Sequence, residues 1–186
     1  MPDRPAGRGE AAGRASAPER ERLTFQIAPA PPFRLDLTVQ ALRRRAVNAI
    51  DRWDGACYRR VLVVDERPLA LEVTQSAPAE RPLLQVTVRG SPLSASTRAI
   101  VTAALRCLLG FDRRLDAFER LAARDPRLGE LTRPLRGLKP PRFPTLFEAL
   151  VNAFACQQVT LDLGIQLLNR LATLCGRTAA PDDPAP

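Results

Sequence analysis

Histidine is absent from this 186-residue chain, and lysine occurs once, as Lys139, so its 28 basic residues are almost all arginine. The first absence removes the commonest nitrogen ligand for zinc. Cys57, Cys107, Cys156 and Cys175 are far apart, with no C-x-x-C pair and no tight four-cysteine loop. Neither a zinc site nor an iron–sulfur cluster is therefore expected. Apolar runs long enough to cross a bilayer are missing too, so no membrane partner is expected. The opening MPDRPAGRGEAAGRASAPERER lacks the hydrophobic stretch of a secretory signal, and the expectation is a cytoplasmic protein with reduced cysteines. Beyond Gly9 no two glycines are separated by a single residue, which excludes a G-x-G phosphate grip from the rest of the chain. Aromatic residues make up only 5%, and sheet and core packing explains Trp53 and Tyr58 better than base stacking does.

What is present is charge of one sign. A net charge of +8 and a pI near 10.7 suit a polyanionic partner, although arginine-, alanine- and proline-rich usage is also what a GC-rich genome writes. Hydrophobic content of 45% is ordinary for a globular protein, and the length allows one sizeable domain or two small ones.

Residues 1–22 alternate charge with Pro, Gly and Ala and read as a disordered tail. From 23 to 110 the patterning is that of a small α+β unit. Leu23 to Ala28 alternates as a strand, and a helix is predicted from Asp36 to about Ala46, its Arg43-Arg44-Arg45 cluster suiting the negative end of the helix dipole. Three strands follow, over Cys57–Val64, Leu69–Val73 and Leu84–Arg89. In the last two, Leu69, Leu71, Val73 and Leu84, Val86, Val88 face inward, the period of a half-solvated antiparallel sheet. A helix from Ser94 or Ser96 to Leu109 ends at Gly110, giving β-α-β-β-β-α with helices on one face of one sheet.

Residues 111–176 read as helical, and 177–186 as a Pro/Asp tail. An amphipathic helix stops at Asp125-Pro126. The most informative stretch comes last. Thr145 and Glu148 form a T-x-x-E capping box, and Phe147, Leu150, Val151, Phe154 and Ala155 then recur on one helical face, with the phenylalanines expected in the core. Helical character lapses at Gln157-Gln158-Val159, and Thr160 caps a second helix with Leu161, Ile165, Leu168, Leu171, Ala172 and Cys175 inward. Gly164 permits a close helical neighbour, and Gly176 is the expected left-handed stop.

The run LFEALVNA (146–153) followed by QQVT (157–160) resembles the opening of the helix-hairpin-helix DNA glycosylase domain, and within it the AlkA-type DNA-3-methyladenine glycosylases II. PPF at 31–33, the helix ending RRAV (44–47), Tyr58 and Arg60 resemble the N-terminal sheet domain of that family, and RGLKPPR (136–142) resembles its lead-in to the helices. The resemblance implies a fold class: a TATA-binding-protein-like antiparallel sheet domain with two helices, then the first helices of an all-α glycosylase domain. It implies damaged double-stranded DNA as partner, and excision of alkylated purines in base-excision repair by base flipping, with no metal or cofactor. By the same resemblance Gln158, beside Gln157 and ahead of Thr160, stands at the wedge that enters the duplex, and Arg142 is a phosphate contact near a helix N-terminus. The residues themselves also permit a blander role, with Gln157 and Gln158 satisfying helix-end groups and Arg142 solvated.

The family's G-[IV]-G hairpin and catalytic aspartate have no counterpart. After Asp162 the only carboxylates are Asp182 and Asp183, in a P-D-D-P tail, so no catalytic residue is assigned. The expectation is the N-terminal portion of a glycosylase, truncated and inactive alone, which a separately encoded C-terminal half would complete. The alternatives are a non-catalytic DNA-binding module, which the leucine-rich second helix disfavours, and an interaction fragment needing a partner. Helical faces shaped for absent neighbours would leave the C-terminal portion prone to aggregate.

Overall fold

β1 (Glu21–Ile27) opens the part of the chain that this computed structural model describes, residues 21–179. Residues 1–20 and 180–186, which hold most of the two expected tails, lie outside it. The chain continues through α1 (Leu35–Arg43), β2 (Arg52–Trp53), β3 (Cys57–Val64), β4 (Arg67–Gln75), β5 (Leu84–Gly90) and α2 (Thr97–Leu109). The five strands form one antiparallel sheet in the order β1-β5-β4-β3-β2.

Strand periodicity decides which side of that sheet is dry. The register lines up Phe25, Val86, Val73 and Tyr58 across four strands, and Leu23, Val88, Leu71 and Arg60 in the next row. Leu35, Val39 and Leu42 of α1 and Val101, Leu105 and Leu108 of α2 join Phe25, Tyr58, Leu71, Val73, Val86 and Val88 in one buried cluster, with Leu23 packed against it. Burying a side chain of this size contributes about 1.5–3 kcal/mol, so these two helical stripes fix the sheet domain. One member of the inner rows is out of character: Arg60 is an arginine on the core face.

Short elements are where the sequence reading needs correction. α1 ends at Arg43 and not near Ala46, because Arg44 turns the backbone out of the helix at φ 62°. β2, two residues long, carries too little pattern to read. It is joined to β3 by a turn in which the Asp54 carboxylate accepts from the amides of Ala56 and Cys57. Those two bonds, with Arg59 beside it, hold Asp54 well below the usual carboxylate range. The β3–β4 turn is shorter than D65-E66-R67-P68: Asp65 and Glu66 both take positive φ, matching the twist of the strands, while Arg67 and Pro68 already pair with Val64 and Val63.

Gly110 does stop α2, at φ 54°, and a β-carbon there would lie 2.7 Å from the Pro140 carbonyl oxygen. That approach lets segment 136–142 lie along the sheet domain. The Arg34 amide donates to Gly137 O at 2.7 Å, the Lys139 amide to Thr38 Oγ1 at 3.1 Å, and the Arg142 amide to Cys107 O at 3.1 Å.

Beyond Gly110 come α3 (Asp116–Ala122), α4 (Pro126–Thr132) with a 3-10 turn over Arg133–Leu135, α5 (Leu146–Cys156) and α6 (Leu161–Cys175). α3 ends at Ala122, three residues before the expected stop at Asp125-Pro126, and that pair instead starts α4: the Asp125 carboxylate accepts from the amides of Arg127 and Leu128, and Pro126 fills the first helical position. Gly176 is not left-handed, with φ −75° and ψ 170°; the chain leaves α6 extended after the Gly176 amide donates to Ala172 O. Among the described residues no helix is long and apolar enough to cross a membrane, and the four cysteines form no disulfide.

Candidate nucleic-acid interface

α5 and α6 form a hairpin whose tip is residues 157–160. Thr145 caps α5, its hydroxyl accepting from the Glu148 amide at 3.1 Å. The return half of the expected capping box is spent elsewhere, because the Glu148 carboxylate takes a hydrogen bond from Arg60 on the sheet. At the far end α5 stops at Cys156, Gln157 is extended (φ −79°, ψ 130°), and Gln158 takes φ 56°. Thr160 restarts the helix, its hydroxyl accepting from the Leu163 amide at 3.3 Å. Gln157, Gln158 and Thr160 are all exposed. The hairpin closes tightly because position 164 is glycine, where a β-carbon would sit 2.7 Å from Cys156 Sγ.

Arg142 is exposed, just before the N-terminus of α5. An eleven-residue helix is about 16 Å long, so the structure gathers Gln157, Gln158 and Thr160 at one end and leaves Arg142 near the other.

The positive φ of Gln158 has a measurable consequence. A non-glycine residue held there costs on the order of 1 kcal/mol or more. Gln158→Gly is expected to leave the fold as stable as before or up to about 1 kcal/mol more so, while removing the side chain at the tip; equilibrium urea unfolding reads this. A loss of more than about 1 kcal/mol would mean that the glutamine side chain holds the turn together.

Two sets of contacts that the sequence did not announce attach the hairpin to the sheet domain. Arg60 is the first. Its side chain is 4% exposed, donates to Asp51 Oδ1 at 2.7 Å and to Glu148, and shares Asp51 with the Tyr58 hydroxyl, which donates at 2.8 Å. Burial opposes the charge, but Asp51, Tyr58 and Glu148 around it outweigh that and hold Arg60 firmly protonated. Burial, then the Asp51 charge, pushes the Tyr58 phenol well above its ordinary range, so it stays a donor.

The second set is the loop after α1. Arg43 does end the helix as a basic last-turn residue, but its guanidinium donates to the Trp53 and Ala46 carbonyls. Arg44 and Arg45 are not ornaments of the helix dipole: Arg44 donates to Asn152 Oδ1 at 2.5 Å, and Arg45 donates to Asp162 Oδ1 at 2.6 Å. Asn169 of α6 answers from the other side, accepting from the Ala49 amide at 2.9 Å and donating to Val47 O at 2.6 Å. A run of three arginines at the end of a helix, and one asparagine in a leucine-rich helix, were the available signals.

The apolar faces of the hairpin are largely uncovered. Ile165 and Leu168 are buried, but Phe147 and Phe154 are each 73% exposed, contrary to the core placement their spacing suggested. No described element lies over that face of α5. Val151, Leu171, Ile100 and Phe147 help line an open cleft of about 1230 Å³ between the hairpin, the sheet and α2.

The AlkA N-terminal domain model matches residues 24–144. The structure is similar to a 3-methyladenine DNA glycosylase from Archaeoglobus fulgidus, with a TM-score of 0.61 at 19% identity, over 77% of this chain and 47% of that one. The chain thus spans about half the length of that solved protein, and the likeness shows the shared fold. No curated protein matches. With the family match extending over well more than half of its length, the chain belongs to the AlkA N-terminal domain family, and what it carries is a DNA glycosylase-related N-terminal domain.

Proposed function

We propose that this chain is the N-terminal portion of a DNA glycosylase that excises alkylated purines from double-stranded DNA, and that its α5–α6 tip is the wedge that fills the gap left by a flipped base. The observation that supports this best is the exposed, bent tip at 157–160 on a hairpin hydrogen-bonded to an AlkA-type sheet domain. A glycosidic bond inside a stacked duplex is out of reach, so a glycosylase needs a group that can replace the departing base. Gln158 supplies an amide there, able to hydrogen-bond the orphaned partner base. Thr160 caps the Leu163 amide and leaves those of Leu161 and Asp162 for a phosphate, and Arg142 offers a second backbone contact further along the groove.

The excision chemistry itself needs a carboxylate beside the developing sugar cation. Asp162 stands nearest the tip in sequence but is committed to Arg45, so we assign the chemistry to glycosylase residues outside this sequence. Two outcomes follow. The chain alone releases no base from alkylated duplex DNA in a glycosylase assay; turnover would place the acid within these residues. On a duplex carrying a central 2-aminopurine, binding raises the fluorescence, and Gln158→Ala cuts that rise at least threefold while changing duplex affinity little. An undiminished rise would remove Gln158 from the wedge.

The uncovered Phe147 and Phe154 favour the interaction-fragment reading as the second, and the two are compatible if the partner is that C-terminal half. Co-purification of a separately expressed glycosylase C-terminal half with this chain, lost when both phenylalanines become serine, tests it.

A further inference from the structure

The loop at residues 43–50 touches both helices of the hairpin close to its tip, by contacts of three kinds. Arg44 reaches the last turn of α5, donating to Asn152 Oδ1 with Cys156 Sγ at 3.6 Å. Arg45 pairs with Asp162 in the first turn of α6. Asn169, two turns further along α6, reads the loop backbone through both ends of its amide. The loop is itself braced: Asn48 is buried, donates to Arg43 O and accepts from the amides of Ile50 and Asp51. Arg44 takes φ 62°, a conformation an arginine rarely adopts and one that turns the chain out of α1 toward these contacts. An isolated exposed ion pair would hold little. Here one ion pair, one charged bond to an amide and a two-ended amide–backbone contact converge on residues flanking 157–160 from both sides.

We propose that residues 43–50 of the sheet domain form a cradle that sets the angle of the α5–α6 hairpin, making Arg44, Arg45 and Asn169 positioning residues for the tip. The sheet domain then takes part in base flipping without touching the base: it fixes where the wedge points. The cost of that arrangement is that Arg45 is neutralised by Asp162 and withdrawn from any phosphate contact. The effect on DNA rests on the wedge reading above, whereas the geometry of the cradle does not.

The test has two arms on the full chain. In the first, the native cysteines are replaced by alanine and spin labels are attached at Glu80→Cys and Gln157→Cys, both exposed positions. Double electron–electron resonance gives one narrow distance distribution. Arg45→Asp and Asn169→Leu each broaden it at least twofold, and the charge-conserving pair Arg45→Asp with Asp162→Arg narrows it again. In the second arm, with native cysteines, Asn169→Leu cuts the 2-aminopurine fluorescence rise at least threefold with duplex affinity within twofold, and the double swap recovers what Arg45→Asp loses. The ion pair is on the surface, so its swap leaves the core intact and distinguishes lost aim from lost fold. An unchanged distance distribution in both single variants overturns the cradle. A distribution that responds, with fluorescence indifferent to Gln158→Ala, leaves the cradle standing and removes the wedge.

Discussion

Arg60→Met is expected to destabilise the sheet domain by about 3–5 kcal/mol, read as a fall in the urea midpoint with an unchanged slope. The register explains why. Position 60 pairs with Leu71 on the dry face of the sheet, so a charge there is tolerated only because Asp51 and Glu148 meet it and Tyr58 completes the shell around Asp51. Methionine fills the space but strands the Asp51 carboxylate, which is as buried as its partner. The loss comes from that uncompensated charge more than from the pair's own worth, so removing both charges is expected to recover most of it: Arg60→Met with Asp51→Leu and Tyr58→Phe lies within about 1–2 kcal/mol of the parent. A triple variant as unstable as the single one would place the cost in packing. The alkaline side supplies a signature. Tyr58 has a folded pKa raised above its unfolded value of about 10. Its contribution is therefore complete below pH ~10 and is lost as pH rises from there toward the folded value. Tyr58→Phe flattens that alkaline decline and costs about 1 kcal/mol at neutral pH, where Asp51 still has Arg60.

The second large effect concerns the uncovered hairpin. Phe147 and Phe154 at 73% exposure, with Leu146 at 75%, form an apolar face at one helical spacing. Each such side chain left in water forgoes about 1.5–3 kcal/mol that burial would contribute. The chain is expected to self-associate at micromolar concentration through this face. Phe147→Ser with Phe154→Ser is expected to lower the association constant at least tenfold in sedimentation equilibrium, with little change in fold stability. Hydrogen exchange on the same sample should rank β3, β4 and β5 as far better protected than α5 and α6. A hairpin as protected as the sheet, or a double variant that associates as strongly, would contradict the assignment.

How much of this was legible follows from what each element depends on. Strands β4 and β5 could be read because alternation at Leu69, Leu71, Val73 and at Leu84, Val86, Val88 is enforced by one dry face. The hairpin was legible because Thr145 and Thr160 are helix-starting residues and Gln157-Gln158 interrupts an apolar period. β2 and α4 were not: two residues carry no period, and Asp125-Pro126, which reads as a helix stop, is the start of the next helix. Phe147 and Phe154 misled because periodicity reports that a face is apolar and says nothing of whether anything covers it. Glu148 misled differently, since its spacing from Thr145 fits a capping box but its carboxylate is claimed by a strand residue 88 positions earlier. The roles of Arg44, Arg45 and Asn169 are of the same long-range kind, made across more than a hundred residues by side chains whose local context predicts only solvent.

Lys139 has a practical sequel. It is the chain's single lysine, it is 1% exposed, and its backbone is tied to Thr38 on α1. An acylating reagent therefore meets no accessible lysine amine on the native molecule. Any labelling at that position counts the moments when segment 136–142 lifts away from the sheet domain, an internal clock for opening that requires no engineered probe.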